Sequence, residues 1–305
     1  MMRWRKLGRI YAPASVATWA VTHASVPIAM ALGPHEHRVF FSSRDRGNRS
    51  YTGYFDTDLR DPNGQPLRVG GGPALSPGGL GMFDEDGAMG SWIVQDESRL
   101  LLYYIGWNLG RSVPFRNSIG LAESFDGGEN FSRVSVGPVL DRGIHDPCFT
   151  ASPCVLLEGG RWRMWYLSCF AWERREAGPM HRYHIKYAES GDGLGWQRDG
   201  LVAIDFALPG EYALARPSVI RDHDCYRMWY SRRGTSYRIG YAESLDGVSW
   251  QRRDEKVGID VSESGWDSEM ICYPFVFDAE GQRYMLYNGN GYGASGIGLA
   301  VLEAD

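Results

Sequence analysis

Acidic side chains recur just ahead of short apolar runs in this 305-residue chain: Asp84-Glu85-Asp86, then Asp146, then Glu211, then Asp267 with Glu269. Each stands four to seven residues before the proline or glycine that opens the run, at Gly90, Pro153, Pro217 and Pro274. A shared offset in four places predicts that several carboxyl groups are delivered to one common site. Carboxyl groups crowded into a desolvated site repel one another, so some pKa values rise while others stay low. One protonated and one ionised acid is the combination that acid/base work on a glycosidic bond requires. The candidate catalytic set is therefore Glu211, Asp146, Asp84 and Glu269, with Asp267 beside them as a binding group. Arg44-Asp45, Trp107-Asn108, Arg216, Arg232-Arg233 and Asn288 follow nearby strands, and such rings, amides and guanidinium groups suit sugar hydroxyls or phosphates. The competing reading makes each acid a turn cap or the partner of a neighbouring arginine.

The elements that must carry these residues form a repeat. Pro153-Cys-Val-Leu, Trp162-Arg-Met-Trp-Tyr and Ile185-Lys-Tyr-Ala-Glu-Ser-Gly-Asp-Gly match Pro217-Ser-Val-Ile, Tyr226-Arg-Met-Trp-Tyr and Ile239-Gly-Tyr-Ala-Glu-Ser-Leu-Asp-Gly. Weaker copies start at Pro27, Gly90 and Pro274, so the five pivots stand 63, 63, 64 and 57 residues apart. One copy is one blade, with an Asp-Gly turn after its third strand at Asp126, Asp192 and Asp246. The last copy stops after three strands, which would leave a bare edge. Trp4-Arg-Lys resembles Trp196-Gln-Arg and Trp250-Gln-Arg, so residues 3–12 are expected to complete it. The predicted fold is all-β: a single five-bladed β-propeller over 1–305, with blades at about 24–76, 87–141, 150–205, 214–261 and 271–305. Trp162, Trp165 and Trp229 fall at equivalent positions and are assigned to packing between blades. Residues 169–182 form an insertion expected to shape the pocket rim.

Composition narrows the function classes. With 43% hydrophobic and 23% charged residues the chain is globular, and 37 acids against 32 bases disfavour binding to nucleic acid through phosphates. Five cysteines without CxxC spacing fit a reducing, cytoplasmic setting better than a disulfide framework. The stretch from Ile10 to Pro34 carries no formal charge, yet Pro13, Pro27, Thr18, Thr22 and His23 make it too polar for a signal or spanning segment, so no membrane insertion is expected. No dinucleotide or P-loop fingerprint is present, the His35/His37 and His181/His184 pairs are too sparse for a metal site, and no cofactor is expected.

Blade number and acid placement resemble the furanosidase-type glycosidases, glycoside hydrolase families 43, 32, 68 and 117, and the related family 130 phosphorylases. The 266–274 and 287–293 segments are similar to glycosyl hydrolase-like proteins of bacterial surface-polysaccharide gene clusters. The resemblance implies a carbohydrate or sugar-phosphate substrate in a central pocket, Glu211 as proton donor and Asp146 as supporting acid. The first blade departs from that pattern: where the resembling enzymes carry an Asp, the titratable group is His23, to be oriented by Asp84 or Glu269. Alternatives on the same pocket are a carbohydrate-binding propeller without turnover, or a transferase or phosphorylase with Arg216 and Arg232 holding phosphate.

Overall fold

The computed structural model describes residues 2–13, 17–96 and 98–303; the last two residues of the final repeat lie outside them. Its short strands are rich in aromatic and β-branched residues, which suit a pleated, half-buried surface. After β1 (Trp4–Tyr11) come four similar antiparallel units. They contain β2 (Thr22–Ala31), β3 (Glu36–Arg44), β4 (Ser50–Asp58) and β5 (Arg68–Val69); then β6 (Gly87–Asp96), β7 (Arg99–Leu109), β8 (Phe115–Ser124) and β9 (Ser132–Arg133). The third unit has β10 (Phe149–Glu158), β11 (Arg161–Arg175), β12 (Gly178–Ser190) and β13 (Val202–Ile204); the fourth has β14 (Ala213–Arg221), β15 (Tyr226–Arg233), β16 (Tyr237–Ser244) and β17 (Gln251–Arg252). The last unit supplies only β18 (Cys272–Ala279), β19 (Gln282–Asn288) and β20 (Ile297–Leu302), and β1 returns to pair with β20, setting Trp4 opposite Leu302 and Lys6 opposite Ala300. This is the architecture of a β-propeller.

The first strand of each unit packs on the first strand of the next: β2 on β6, β6 on β10, β10 on β14, β14 on β18, and β18 on β2. Every one of these strands slips register at its pivot, between Ser25 and Ile28, Gly90 and Trp92, Ala151 and Cys154, Ala215 and Ser218, and Cys272 and Phe275. The residue just before the pivot proline takes a left-handed backbone: Val26, Ser152, Arg216 and Tyr273 have φ of 54°, 47°, 53° and 56°. A residue ahead of proline avoids that region unless its surroundings impose it. Here the bulge turns one side chain per strand toward the centre.

Neighbouring units are sealed by the expected tryptophans. Trp165 is fully buried and its Nε1 donates to the Gly247 carbonyl of the next unit at 2.8 Å, while Trp229 meets Trp4 edge-on with ring centres 6.0 Å apart. The Asp-Gly turns are structural: Asp126 accepts from the amides of Glu129 and Asn130, and Asp246 from those of Val248 and Ser249. The 169–182 insertion is not a loop but a hairpin extension of β11 and β12, turning at Glu176 and Ala177. All five cysteines are free thiols. Among the described residues no helix is long and apolar enough to cross a membrane.

Candidate functional site

Residues from all five first strands, including Val26, Met89, Ser152, Ala215 and Tyr273, line a central cavity of about 490 Å³. Its walls come from Arg44 at the end of β3 and Asn48 beyond it, Trp107 on β7, His181 and Tyr183 on the extended hairpin, Arg233 on β15, Tyr237 on β16, and Tyr292 in the turn before β20. None of the described lining residues is an aspartate or a glutamate.

The expected meeting of carboxylates therefore does not occur. Asp84 is fully buried and bound by Arg133 Nη2 at 2.6 Å and the Tyr104 hydroxyl at 3.0 Å. Asp146, also fully buried, is bound by Arg198 Nη1 at 2.7 Å, Ser168 Oγ at 2.5 Å and the Tyr166 hydroxyl at 3.2 Å. Asp267 accepts from Lys6 Nζ at 2.7 Å and the Tyr287 hydroxyl at 3.1 Å. Glu211 is gripped by both Arg252 Nη atoms at 2.8 Å; Arg252 also holds Asp254, which accepts from the Tyr230 hydroxyl at 2.7 Å. Burial opposes ionisation of Glu211, yet Arg252 and the Ala207 and Leu208 amides outweigh it and hold its carboxyl below the usual range.

These are variants of one clamp: Asp84, Asp146 and Asp267 each take a second-strand tyrosine hydroxyl and a base, whereas in the fourth unit Arg252 holds Glu211 and the Tyr230 hydroxyl goes to Asp254 instead. Register explains its construction. Tyr104, Tyr230 and Tyr287 each lie opposite a third-strand glycine, Gly120, Gly240 and Gly298. A Cβ there would sit 2.3, 2.6 and 2.7 Å from the tyrosine ring, so only glycine lets the ring pass over the strand to the acid. Two residues further on, Ala122, Ala242 and Ala300 lie opposite the clamp's base: Arg133, Arg252 and Lys6. In the third unit Lys186 takes the glycine position opposite Tyr166 and places its own ammonium 3.5 Å from Asp146.

The first unit is the internal control. Phe41 stands opposite Gly53 and Val69 opposite Phe55, so the tyrosine and the base are both replaced by apolar residues. No acid precedes β2; Trp19 fills the space, 2.2 Å from where a Gly53 Cβ would lie and stacked on Phe41. Acid, hydroxyl and base are lost together, as expected of parts of one clamp.

Other predicted residues divide. Arg44 and Trp107 face the cavity. Asp45 is taken up by Arg49 and the Tyr51 hydroxyl, Asn108 Nδ2 donates to the Met82 carbonyl, and Arg232 lies 3.9 Å from Asp254. Asn288 is a buried tether between the last unit and the first, donating to the Ala24 carbonyl and accepting from the Val26 amide. Arg216 has no solvent exposure; it crosses the axis beneath the cavity, donating to the carbonyls of Ser91 at 2.5 Å and Pro27 at 2.8 Å. His23 is not oriented by Asp84 or Glu269. Its Nδ1 lies 3.0 Å from the Thr22 hydroxyl, and burial, then the Arg44 charge, pull its pKa down to about 4. Glu269 is exposed, and its carboxylate makes no hydrogen bond or ion pair with the described residues. Its backbone is fixed: the amide donates to Asn290 Oδ1 at 2.8 Å and the carbonyl accepts from Arg238 at 3.0 Å.

The sequence named Arg233 only together with Arg232, and left His181 and four tyrosines unassigned to the site. Strand alternation was the available signal: Arg232 and Arg233 are adjacent, and only Arg233 turns to the cavity. His181 stacks on Tyr183 with ring centres 4.5 Å apart, its Nε2 is buried without a partner, and burial, then Arg233, lower its pKa to about 4. The Tyr183 and Tyr237 hydroxyls bond each other at 2.5 Å, and burial raises the pKa of both.

No protein-family model matches the chain. It is 45% identical over 302 residues to the Mycobacterium tuberculosis uncharacterized proteins MT1551 (strain CDC 1551 / Oshkosh) and Rv1502 (strain ATCC 25618 / H37Rv), covering 99% of this chain and all of each relative. Among solved structures, a glycoside hydrolase aligns with TM-score 0.75 at 18% identity, covering 98% of this chain and 92% of the other. A thermostable family-43 glycoside hydrolase aligns at 0.70 and 16%, covering 94% and 91%. An endo-arabinase from Bacteroides thetaiotaomicron VPI-5482 aligns at 0.65 and 13%, covering 96% and 97%.

Proposed function

Because the chain belongs to the family of these two mycobacterial proteins and has the furanosidase-type glycoside hydrolase fold, we propose that it is a glycoside hydrolase-like enzyme that takes its sugar into the central cavity. We read the five units as five blades of one closed ring spanning the chain. The observation that carries the proposal is the cavity itself, where five bulged strands aim residues into a space walled by Trp107, Tyr237, Tyr273 and Tyr292. Aromatic faces and a few fixed polar groups are the usual means of holding a small polar ligand. Neutral His181, with its free Nε2, suits a sugar hydroxyl.

Of the candidate acids, Glu269 is the one available for proton transfer. It is held by Asn290, two residues from Tyr292, and it leads in four residues to Tyr273, so its backbone is anchored to two cavity walls. Glu211, Asp146, Asp84 and Asp267 serve the clamps. On a panel of chromogenic glycosides, turnover is expected to disappear in Glu269→Gln while sugar binding measured by calorimetry persists. Full turnover in that variant would remove Glu269 from the chemistry. A second reading, sugar binding without turnover, is favoured by the absence of carboxylates among the described lining residues. It predicts binding that Tyr292→Ala weakens, with no product released by any form.

A further inference from the structure

The cavity's charge is one-sided. Arg44 and Arg233 both face it, and neither has an ion-pair partner among the described residues. Arg44 has one side-chain hydrogen bond, to Asn48 Oδ1 at 3.1 Å. The Arg233 guanidinium lies 5.2 to 5.4 Å from the ring centres of Tyr212, Tyr237 and Tyr292, and its Nε is buried without a partner. Below them Arg216 is completely buried, with its Nη groups on two main-chain carbonyls and its Nε unpartnered. Burial lowers the Arg216 pKa to about 9, which leaves it charged at neutral pH. Half-buried or buried bases elsewhere, such as Arg38, Arg133, Arg198, Arg252 and Arg283, each have a carboxylate within 3 Å. A desolvated cation without a counter-ion is costly, and three of them around a space with no carboxylate among its described lining residues create a field that an anion would relieve.

We propose that the cavity's ligand is an acidic sugar, a glycoside carrying a carboxylate or a phosphate, with the anionic group held by Arg44 and Arg233 and the sugar ring against the tyrosine walls. This rests on the cavity being the sugar site and adds the charge of its occupant. The tyrosines flanking Arg233 hold its intrinsically planar guanidinium in place while leaving its outer N–H groups for a forked contact. Arg216 contributes charge only, since its Nη donors are already used.

The test is calorimetry on the full chain with glucose, glucuronate and glucose 6-phosphate at low and high salt. At least one anionic sugar is expected to bind about tenfold or more tighter than glucose, about 1.4 kcal/mol, with affinity falling as salt rises. Preference for glucuronate assigns a carboxylate, and preference for glucose 6-phosphate assigns a phosphate. Arg233→Gln and Arg44→Gln are each expected to erase that preference, and the second variant serves if the first fails to fold. Equal affinity for glucose and both anions, or a preference unchanged in a folded arginine variant, overturns the proposal while leaving the cavity a sugar site. No binding by any of the three overturns both.

Discussion

At the scale of single residues, burial and charge partner separate framework from site more sharply than residue type does. Glu211 has the residue type and offset of a proton donor, yet it is buried and doubly held by Arg252. Stranding a buried charge costs about 3 kcal/mol or more, but Arg252 keeps Asp254 when Glu211 is neutralised. Glu211→Gln is therefore expected to cost about 1–2 kcal/mol, to lower the melting temperature by roughly 2–4 °C and to leave ligand affinity in the remaining folded protein unchanged. Unchanged melting with lost turnover would return Glu211 to the chemistry.

At the scale of elements, the clamp works as a unit of three strands, and the first unit shows what its apolar version needs. Phe41 sits between Trp19 and Tyr11, with no acid to receive a hydroxyl. Phe41→Tyr should bury an unsatisfied hydroxyl and cost about 1–3 kcal/mol, whereas Tyr104→Phe removes a bond to Asp84 that Arg133 still holds. Comparing the two by urea denaturation checks this; equal losses would mean that the first unit has a hidden polar partner. Much of this was legible in sequence. Pivot spacing and the aromatic-x-base motif at Phe131, Trp196, Trp250 and Trp4 are local patterns, and they located the strands and the returning N-terminal segment. Which base meets which acid depends on register across three strands, which no single stretch contains. For the same reason Arg233 and Arg232 could be named as a pair but not told apart.

At the scale of the molecule, two half-buried histidines set the first acid-sensitive window. His23 and His181 have folded pKa values of about 4, below the 6.5 of an exposed imidazole. Between pH 6.5 and 4 the unfolded chain binds protons that the folded one refuses, so stability falls as pH drops through that window. Glu211 and Asp222 add a second loss below about pH 4.5, because their folded pKa values are depressed and protonation releases Arg252, Arg283 and Arg227. Melting temperatures from pH 8 to 4 should show the first decline, and His181→Phe, which keeps a ring on Tyr183, should flatten it. An unchanged slope would mean that His181 protonates freely in the folded state.

Arg216 carries one more consequence. By reaching from the fourth unit to carbonyls on the first and second, it stoppers the axis below the cavity. On the proposed reading, a sugar that enters the cavity meets a closed floor at Arg216, so product and incoming ligand compete for one doorway.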